Sequence, residues 1–584
     1  MIQELHLLLA ATPTPTAVPS ITPSVVPSIA PSATATPSPL AFGANIVSFS
    51  FLLSFLIWTP FLTAVIVALL PAPRRGAGRR FMGVAFWINL FMLVVTVVAY
   101  SQFSVFSTGL QFNEQLPWFP PLGIQYHLGL TGTGMGLLVL SGFVGVAGCL
   151  AAYNLRDRAR EFFCLLLLCQ WAVNGAIAAQ DTMLLVFFFT VAVIPLSLLV
   201  GGWSHERRWR AAGRFAAYWL LGSAALLIAV LLLVVATGGS SFQLIGLASG
   251  SPTWQAQLVI AILVLVACGT RLPIVPLHGW VREALAEAHP AVAVVVMGSA
   301  ARIGGSVLLE LFVAPDHWAA RELAPVVAGL AALTVVWASI GALGTRDLRR
   351  LVAYLSIVPG GLTLLGVAGL TPLALQGVEV MLFAGGLASA VMVGVGLTTA
   401  DHLQVRNLAQ LGGLASRLPR LTWLFVGGVV GTLGIPFMAT FPALAMIVLG
   451  SFYGQPVGTV VVLAALVVAA AACALLLRRV LFGPRLGERP TIRDASLTEM
   501  WYAGMLIGVL LWVGILPSGP KVASISIFDP GFVNVVSQAT STISQPYVQP
   551  APPTPKPKVS PTPAPSASPS ASPSGTPTPE PSPS

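Results

Sequence analysis

The sequence predicts an all-α, polytopic membrane protein of about fourteen transmembrane helices flanked by disordered Pro/Ser/Thr-rich tails. Three observations lead there. The 584 residues are 56% hydrophobic and 8% charged, with mean hydropathy +0.87, whereas a soluble domain carries roughly 25% charged residues. Apolar runs long enough to cross a bilayer recur along the chain, at about 20 residues per helix. Arginine clusters fall in alternate gaps between those runs, as the positive-inside rule requires.

Residues 1–44 read as a Pro/Thr/Ser-rich segment that cannot bury a core. Its apolar patch LHLLLA lacks a basic start and is too short for a secretory signal. Residues 45–517 form the predicted transmembrane domain. Its spans are placed at 46–70, 81–100, 131–152, 161–179, 181–202, 214–236, 255–272, 290–313, 323–343, 350–369, 374–398, 420–448, 455–477 and 499–517. Arg74, Arg75, Arg79 and Arg80 follow the first span, and Arg156, Arg158 and Arg160 the third. Arg207, Arg208, Arg210 and Arg214 follow the fifth, Arg282 the seventh, and Arg346, Arg349 and Arg350 the ninth. Arg406, Arg417 and Arg420 follow the eleventh, and the thirteenth precedes five more. Even-numbered loops are nearly bare, Arg321 being the exception. The odd loops are therefore expected to be cytoplasmic, with both termini on the outer side of a bacterial-type plasma membrane. Residues 518–584 are a second low-complexity tail, read as a solvated spacer.

Composition also excludes. The net charge of +10 resides largely in short inter-helix loops, so topology explains it and nucleic acid is not an expected partner. The five cysteines are scattered, with no CxxC and no Cys/His cluster, so no metal, iron–sulfur centre or disulfide framework is expected. No P-loop, HExxH or strand-borne GxGxxG appears, and no cofactor is expected. The lipid bilayer is the one partner composition names.

One stretch, 263–311, concentrates polar chemistry in apolar surroundings. An apolar helix runs to Arg271 and breaks at Pro273 and Pro276. A polar segment carries His278, Arg282, Glu283, Glu287 and His289, and a second apolar helix holds Arg302. Broken backbone and ionisable groups at membrane depth persist only inside protein or beside water. A discontinuous helix is expected between 271 and 282. Lysine occurs only at Lys521, Lys556 and Lys558, so Arg is the one permanent cation of the membrane domain.

The motif RLPIVPLHGWVREALAEAHP resembles the signature of the antiporter-like membrane subunits of respiratory complex I and of Mrp-type sodium/proton antiporters. Pro273, Pro276, Leu277, His278, Trp280, Ala284 and Ala288 carry the match. RDLRRLVAYLSI resembles a second family motif through Asp347, Arg350, Ala353, Tyr354 and Ser356. FFFTVAVIPLSLL (187–199), GTLGIPFMATFPALAMIVLGSF (431–452) and the first span resemble further family helices. Motif order is similar to the M-type subunit of complex I. The resemblance implies internal inverted repeats with broken helices, and a non-redox role in the membrane arm of an NADH:quinone oxidoreductase, beside other membrane-arm subunits. An Mrp-like cation/proton antiporter subunit and a transport-inactive assembly scaffold are the alternatives.

The resemblance also implies a membrane-spanning chain of protonatable side chains, and here the sequence departs. The family's fifth-helix glutamate falls at Thr190, its seventh- and eighth-helix lysines at Arg271 and Arg302, and its signature histidine at Leu285. Further relay positions fall at Pro359, Gly385 and Leu444. A relay needs groups whose pKa moves toward neutrality, as buried Lys and His do. Arg stays charged, and the other replacements do not titrate, so the family's relay is expected to be broken. The residual candidates for an ion path or charge cluster are Arg271, His278, Glu283, Glu287, His289, Arg302 and Glu379. Against that stands a structural reading. Glu283 or Glu287 would pair with Arg271 or Arg302, Glu379 would hydrogen-bond between helices, and His278 would be a core histidine.

Overall fold

The structure, a computed structural model, describes residues 51–71, 77–104, 110–203, 208–239, 242–244, 252–313, 318–404, 407–408, 412–481, 483 and 493–516. The two expected tails lie outside these residues, as do the outer ends of the first and last predicted spans.

Thirteen helices among the described residues are long and apolar enough to cross a membrane. A fourteenth crossing is split in two, Pro419–Leu433 and Thr440–Phe452. Large side chains such as Leu69, Trp87, Val235 and Val467 stay exposed on the outer helices, the mark of a lipid-facing belt. The eighth span (Pro290–Val313) and the eleventh (Pro372–Leu403) each hold a wholly buried stretch of 18 residues, whereas the corresponding stretches of the second and thirteenth are one-third buried. The first pair is thus the axis of the bundle and the second pair its rim.

Loop contacts settle the parity of the count. Arg160 donates to the Leu70 carbonyl (3.4 Å), and Trp203 Nε1 to that of Asp157 (3.0 Å). Arg214 pairs with Glu283, and Leu408 N–H donates to the Arg346 carbonyl (2.8 Å). The Asp494 carboxylate accepts from the N–H groups of Arg420 and Leu421. Every one of these joins odd-numbered loops. Gln125 N–H donates to Asp181 (3.0 Å), Thr182 N–H to the Phe242 carbonyl (2.8 Å), and Trp254 meets Trp318 edge-to-face at 5.9 Å. Those join even loops on the opposite face. A missed or surplus helix would have mixed the two sets.

Two features depart from the expected plan. The second loop holds an antiparallel hairpin, β1 (Gln111–Phe119) with β2 (Ile124–Leu130), turned by Pro120–Leu122 and Gly123. Glu114 of β1 caps the first span by accepting from Leu53 N–H (2.6 Å) and Ser54 N–H (3.1 Å), satisfying donors that a helix start leaves free. The twelfth span, expected to be continuous, breaks because Gly434 turns left-handed (φ +67°) ahead of Pro436. Ala439 N–H then donates to the Leu510 carbonyl (2.8 Å) of the last span. The seventh span is broken too, so the two breaks lie five spans apart. Five is odd, and a five-span repeat would therefore be inverted across the membrane.

Candidate functional site

The seventh span runs Trp254–Arg271, stops, and resumes as Gly279–Glu287. Pro273 and Pro276 supply no N–H, so the carbonyls of the last turn need other donors. Trp280 Nε1 donates to the Thr270 carbonyl (2.9 Å), Leu272 N–H to that of Cys268 (2.8 Å) and Ile274 N–H to that of Gly269 (3.2 Å). Within the break, Val275 N–H donates to Thr334 Oγ1 (3.1 Å) on the ninth span. The interruption is as expected, and its backbone is satisfied inside protein.

Arg271, 1% exposed, sits at the end of the first piece. Its guanidinium is held between two rings, 4.0 Å from the centroid of Phe189 and 3.8 Å from that of Trp219. Nη2 donates to the Phe189 carbonyl and lies 3.4 Å from Ser223 Oγ. The fifth span is itself two pieces, Thr182–Val191 and Val193–Gly202, with Pro195 in the first turn of the second. Phe189 is in the last turn of the first piece, where carbonyls lack intrahelical donors. Gly304 of the eighth span lies against Arg271, where an added Cβ would come within 2.8 Å of the Arg271 Cβ. Nε has no hydrogen-bond partner.

Arg302, 0% exposed, occupies a kink of the eighth span. That span passes from α-helix (Pro290–Gly298) through a 3₁₀ turn (Ala300–Arg302) and a short α-helix (Ile303–Val307) to a π-helical turn (Leu308–Val313). Such deformations mark strain or function. Arg302 Nε donates to the Met297 carbonyl (3.2 Å) and Nη2 to Ser389 Oγ (2.9 Å) on the eleventh span, while Nη1 has no partner.

The expected pairing of these cations with Glu283 or Glu287 does not form. Glu283 turns to Arg214 of the sixth span (Arg208–Thr237), with Arg282 at 4.0 Å. The side chains of Arg214 and Glu283 are 41% and 29% exposed, so the pair is at the water-accessible end. Glu287 is half-buried and, with Glu283, lines a cavity beside Arg210, Arg214, Arg282 and Arg350. Carbonyls, hydroxyls and ring faces solvate the deep arginines instead, at a smaller desolvation cost than a second buried ion would bring.

The remaining candidates separate. Glu379 is 2% exposed in the eleventh span and accepts from Thr133 Oγ1 (2.9 Å) of the third span (Gly132–Ala151), the inter-helix bond expected. His289 caps the eighth span, its Nδ1 accepting from Ala291 N–H (3.2 Å), and packs on Phe162. His278 is half-buried against Trp337, and its Nδ1 has no hydrogen-bond partner. The structure therefore does not gather the seven residues into one cluster.

Sequence reading missed three groups. Arg349, 2% exposed, donates to the Ala286 carbonyl (3.1 Å) and pairs with Asp401, tying the polar segment to the tenth and eleventh spans. The motif match had pointed to its neighbour Arg350, which is exposed. His402 Nε2 meets Glu499 Oε1 at 2.9 Å, joining the eleventh and last spans. Asn174 accepts from Ser141 Oγ (2.7 Å), and Gln170 Nε2 donates to Ser141 Oγ (2.7 Å) deep between the third and fourth spans. A helical Gln-x-x-x-Asn step, 170 to 174, was the available signal.

Comparison with known proteins now bears on this arrangement. The family model described as "NADH:quinone oxidoreductase/Mrp antiporter, TM" matches residues 179–471, half of the chain. The chain belongs to this family. Relatives include NAD(P)H-quinone oxidoreductase chain 4 1 of Synechococcus sp. (strain JA-3-3Ab), 29% identical over 85% of this chain and 95% of its own length. Its counterpart in Thermosynechococcus vestitus is 28% identical over 80% and 90%. Among solved structures, respiratory complex I from Thermus thermophilus superposes with TM-score 0.74 at 21% identity, covering 84% of this chain and 99% of that one. The Mrp complex from Dietzia sp. follows with TM-score 0.71 at 20% identity, over 86% and 98%. These two likenesses establish the antiporter-like fold.

Proposed function

We propose that the chain is a non-redox membrane-arm subunit of a complex I-type NADH:quinone oxidoreductase, standing among other membrane-arm subunits in a bacterial-type plasma membrane, and that it lacks the family's proton relay. Near full-length similarity to relatives named as chain 4 supports the first part. The single observation carrying the second is the setting of Arg271. It occupies the family's lysine position, clamped by Phe189 and Trp219 and bonded to the Phe189 carbonyl, beside Thr190, the position of the family's glutamate. A guanidinium does not release its proton in a protein, and a carbonyl cannot take one. Arg302, bonded to Ser389 and the Met297 carbonyl, repeats the pattern.

The positive-inside rule supports cytoplasmic odd loops and outer termini. If a rerouted path exists, Glu379 and His278 are its best members, the one buried and the other half-buried, as groups of a titratable type; His289 is committed to capping. An Mrp-like antiporter role shares the fold but meets the same two fixed cations. The test is proton uptake by liposomes holding the purified complex, comparing parent, Glu379→Gln and His278→Ala. Equal uptake in all three is expected, the other membrane-arm subunits supplying whatever the complex pumps. Robust uptake lost on Arg271→Ala or Arg302→Ala would overturn the lost-relay reading.

A further inference from the structure

Beside the broken helix, on the face formed by the odd loops, lies a cavity of about 300 Å³ lined by Arg210, Arg214, Arg282 and Arg350, with Glu283 and Glu287. Four guanidiniums face two lining carboxylates, and Asp347 beside Arg350 adds a third, leaving an excess of one positive charge. The arginines come from three separate segments: the start of the sixth span, the polar segment and the start of the tenth. Convergence of like charges is unfavourable unless something negative is shared. The protein supplies part of it. Glu283 pairs with Arg214 and stands 4.0 Å from Arg282, and Arg350 is 3.8 Å from Asp347. Arg210 has no ion pair recorded among the described residues, and Arg282 has only that long contact.

Two further facts set the ligand class. First-turn residues of the sixth and tenth spans line the cavity, and the tenth span's N-terminus is already capped by the Asp347 carboxylate, so the arginine side chains carry the site's positive charge. Every lining cation is Arg, whose planar fork binds two oxygens of one phosphate, in a membrane domain without lysine.

We propose that this cavity binds a phosphate-bearing anion, either the headgroup of an anionic phospholipid or free phosphate. Basic pockets between helices at a membrane surface take anionic headgroups by the same physics. The proposal is independent of which complex the chain joins. Occupancy would bridge the polar segment to the sixth and tenth spans, replacing mutual repulsion of arginines with shared bonds.

The test uses the full chain and two probes. Delipidated protein is titrated with inorganic phosphate by calorimetry. In parallel, protein from nanodiscs of mixed phosphatidylglycerol and phosphatidylcholine is examined by native mass spectrometry for retained lipid. Arg210→Ala/Arg282→Ala should weaken whichever binding the parent shows by at least about tenfold, since it removes two of the four charged donors. Glu283→Gln should strengthen it, an effect misfolding cannot produce. Phosphate binding by delipidated protein assigns a soluble source. Selective phosphatidylglycerol retention without it assigns a lipid. Equal behaviour of the three proteins in both arms, or loss of a co-purifying protein from the double variant with lipid and phosphate binding unchanged, overturns the proposal.

Discussion

Arg271 shows how a deep cation is kept without an anion. Its positive charge is spread over two ring faces and the Phe189 carbonyl, in the last turn before the fifth span breaks. Arg271→Ala should lower stability by about 2–4 kcal/mol, through lost cation–π contact and an emptied aromatic slot, measured by SDS-titrated unfolding. Arg271→Lys with Thr190→Glu should restore a titratable pair and raise liposome proton uptake above the parent. No rise would mean that the rest of the path is missing as well. The depth of Arg271 and Arg302 was legible from the sequence, because each lies within or at the end of an apolar run. Their partners were not. Glu283 is near both in sequence, yet its helix presents it to Arg214, a direction that hydropathy does not encode. Pro195 was the overlooked sign that the fifth span would break.

At the scale of elements, thirteen spans were readable because each is a long apolar run, and the break of the seventh because two prolines stand three residues apart. The break of the twelfth was hidden, since GIPFMA is itself apolar and only Gly434 and Pro436 betray it. The hairpin was passed over as loop, although QFNEQLPWFPPLGIQYHLGL carries the turn Pro-Pro-Leu-Gly. Trp280→Phe removes the donor to the Thr270 carbonyl and should cost about 1–3 kcal/mol, leaving a buried acceptor unmade. Its signature should be faster amide exchange confined to residues 268–280. The hairpin should respond to pH. Burial pushes His127 below its ordinary 6.5, with the nearby Asp181 carboxylate opposing. The unfolded form then binds the proton more readily, so this contribution is intact above about 6.5 and is lost as pH falls toward the lowered value. Amide exchange in 111–130, corrected for intrinsic rates, should quicken at pH 5.5 relative to 7.5, and His127→Phe should flatten that response.

For the whole molecule, the two sets of loop contacts make one face rich in arginine and the other nearly bare. A cysteine introduced near residue 560 should label from the outer side of intact cells. Labelling only after permeabilisation would reverse the orientation, while leaving the helix count standing. Purification under mild detergent should bring other membrane-arm subunits with the chain. The pair of deep arginines has a consequence for energy storage. A cation passing within about 6 Å of a fixed guanidinium meets a repulsion of about 3 kcal/mol at an effective dielectric of 20, which cuts its occupancy about a hundredfold. On the lost-relay proposal, two such obstacles, one on the seventh span and one on the axial eighth, would turn a transporter-shaped bundle into an insulator. A respiratory membrane holding this chain would keep its voltage, where an abandoned but water-filled relay would short-circuit it.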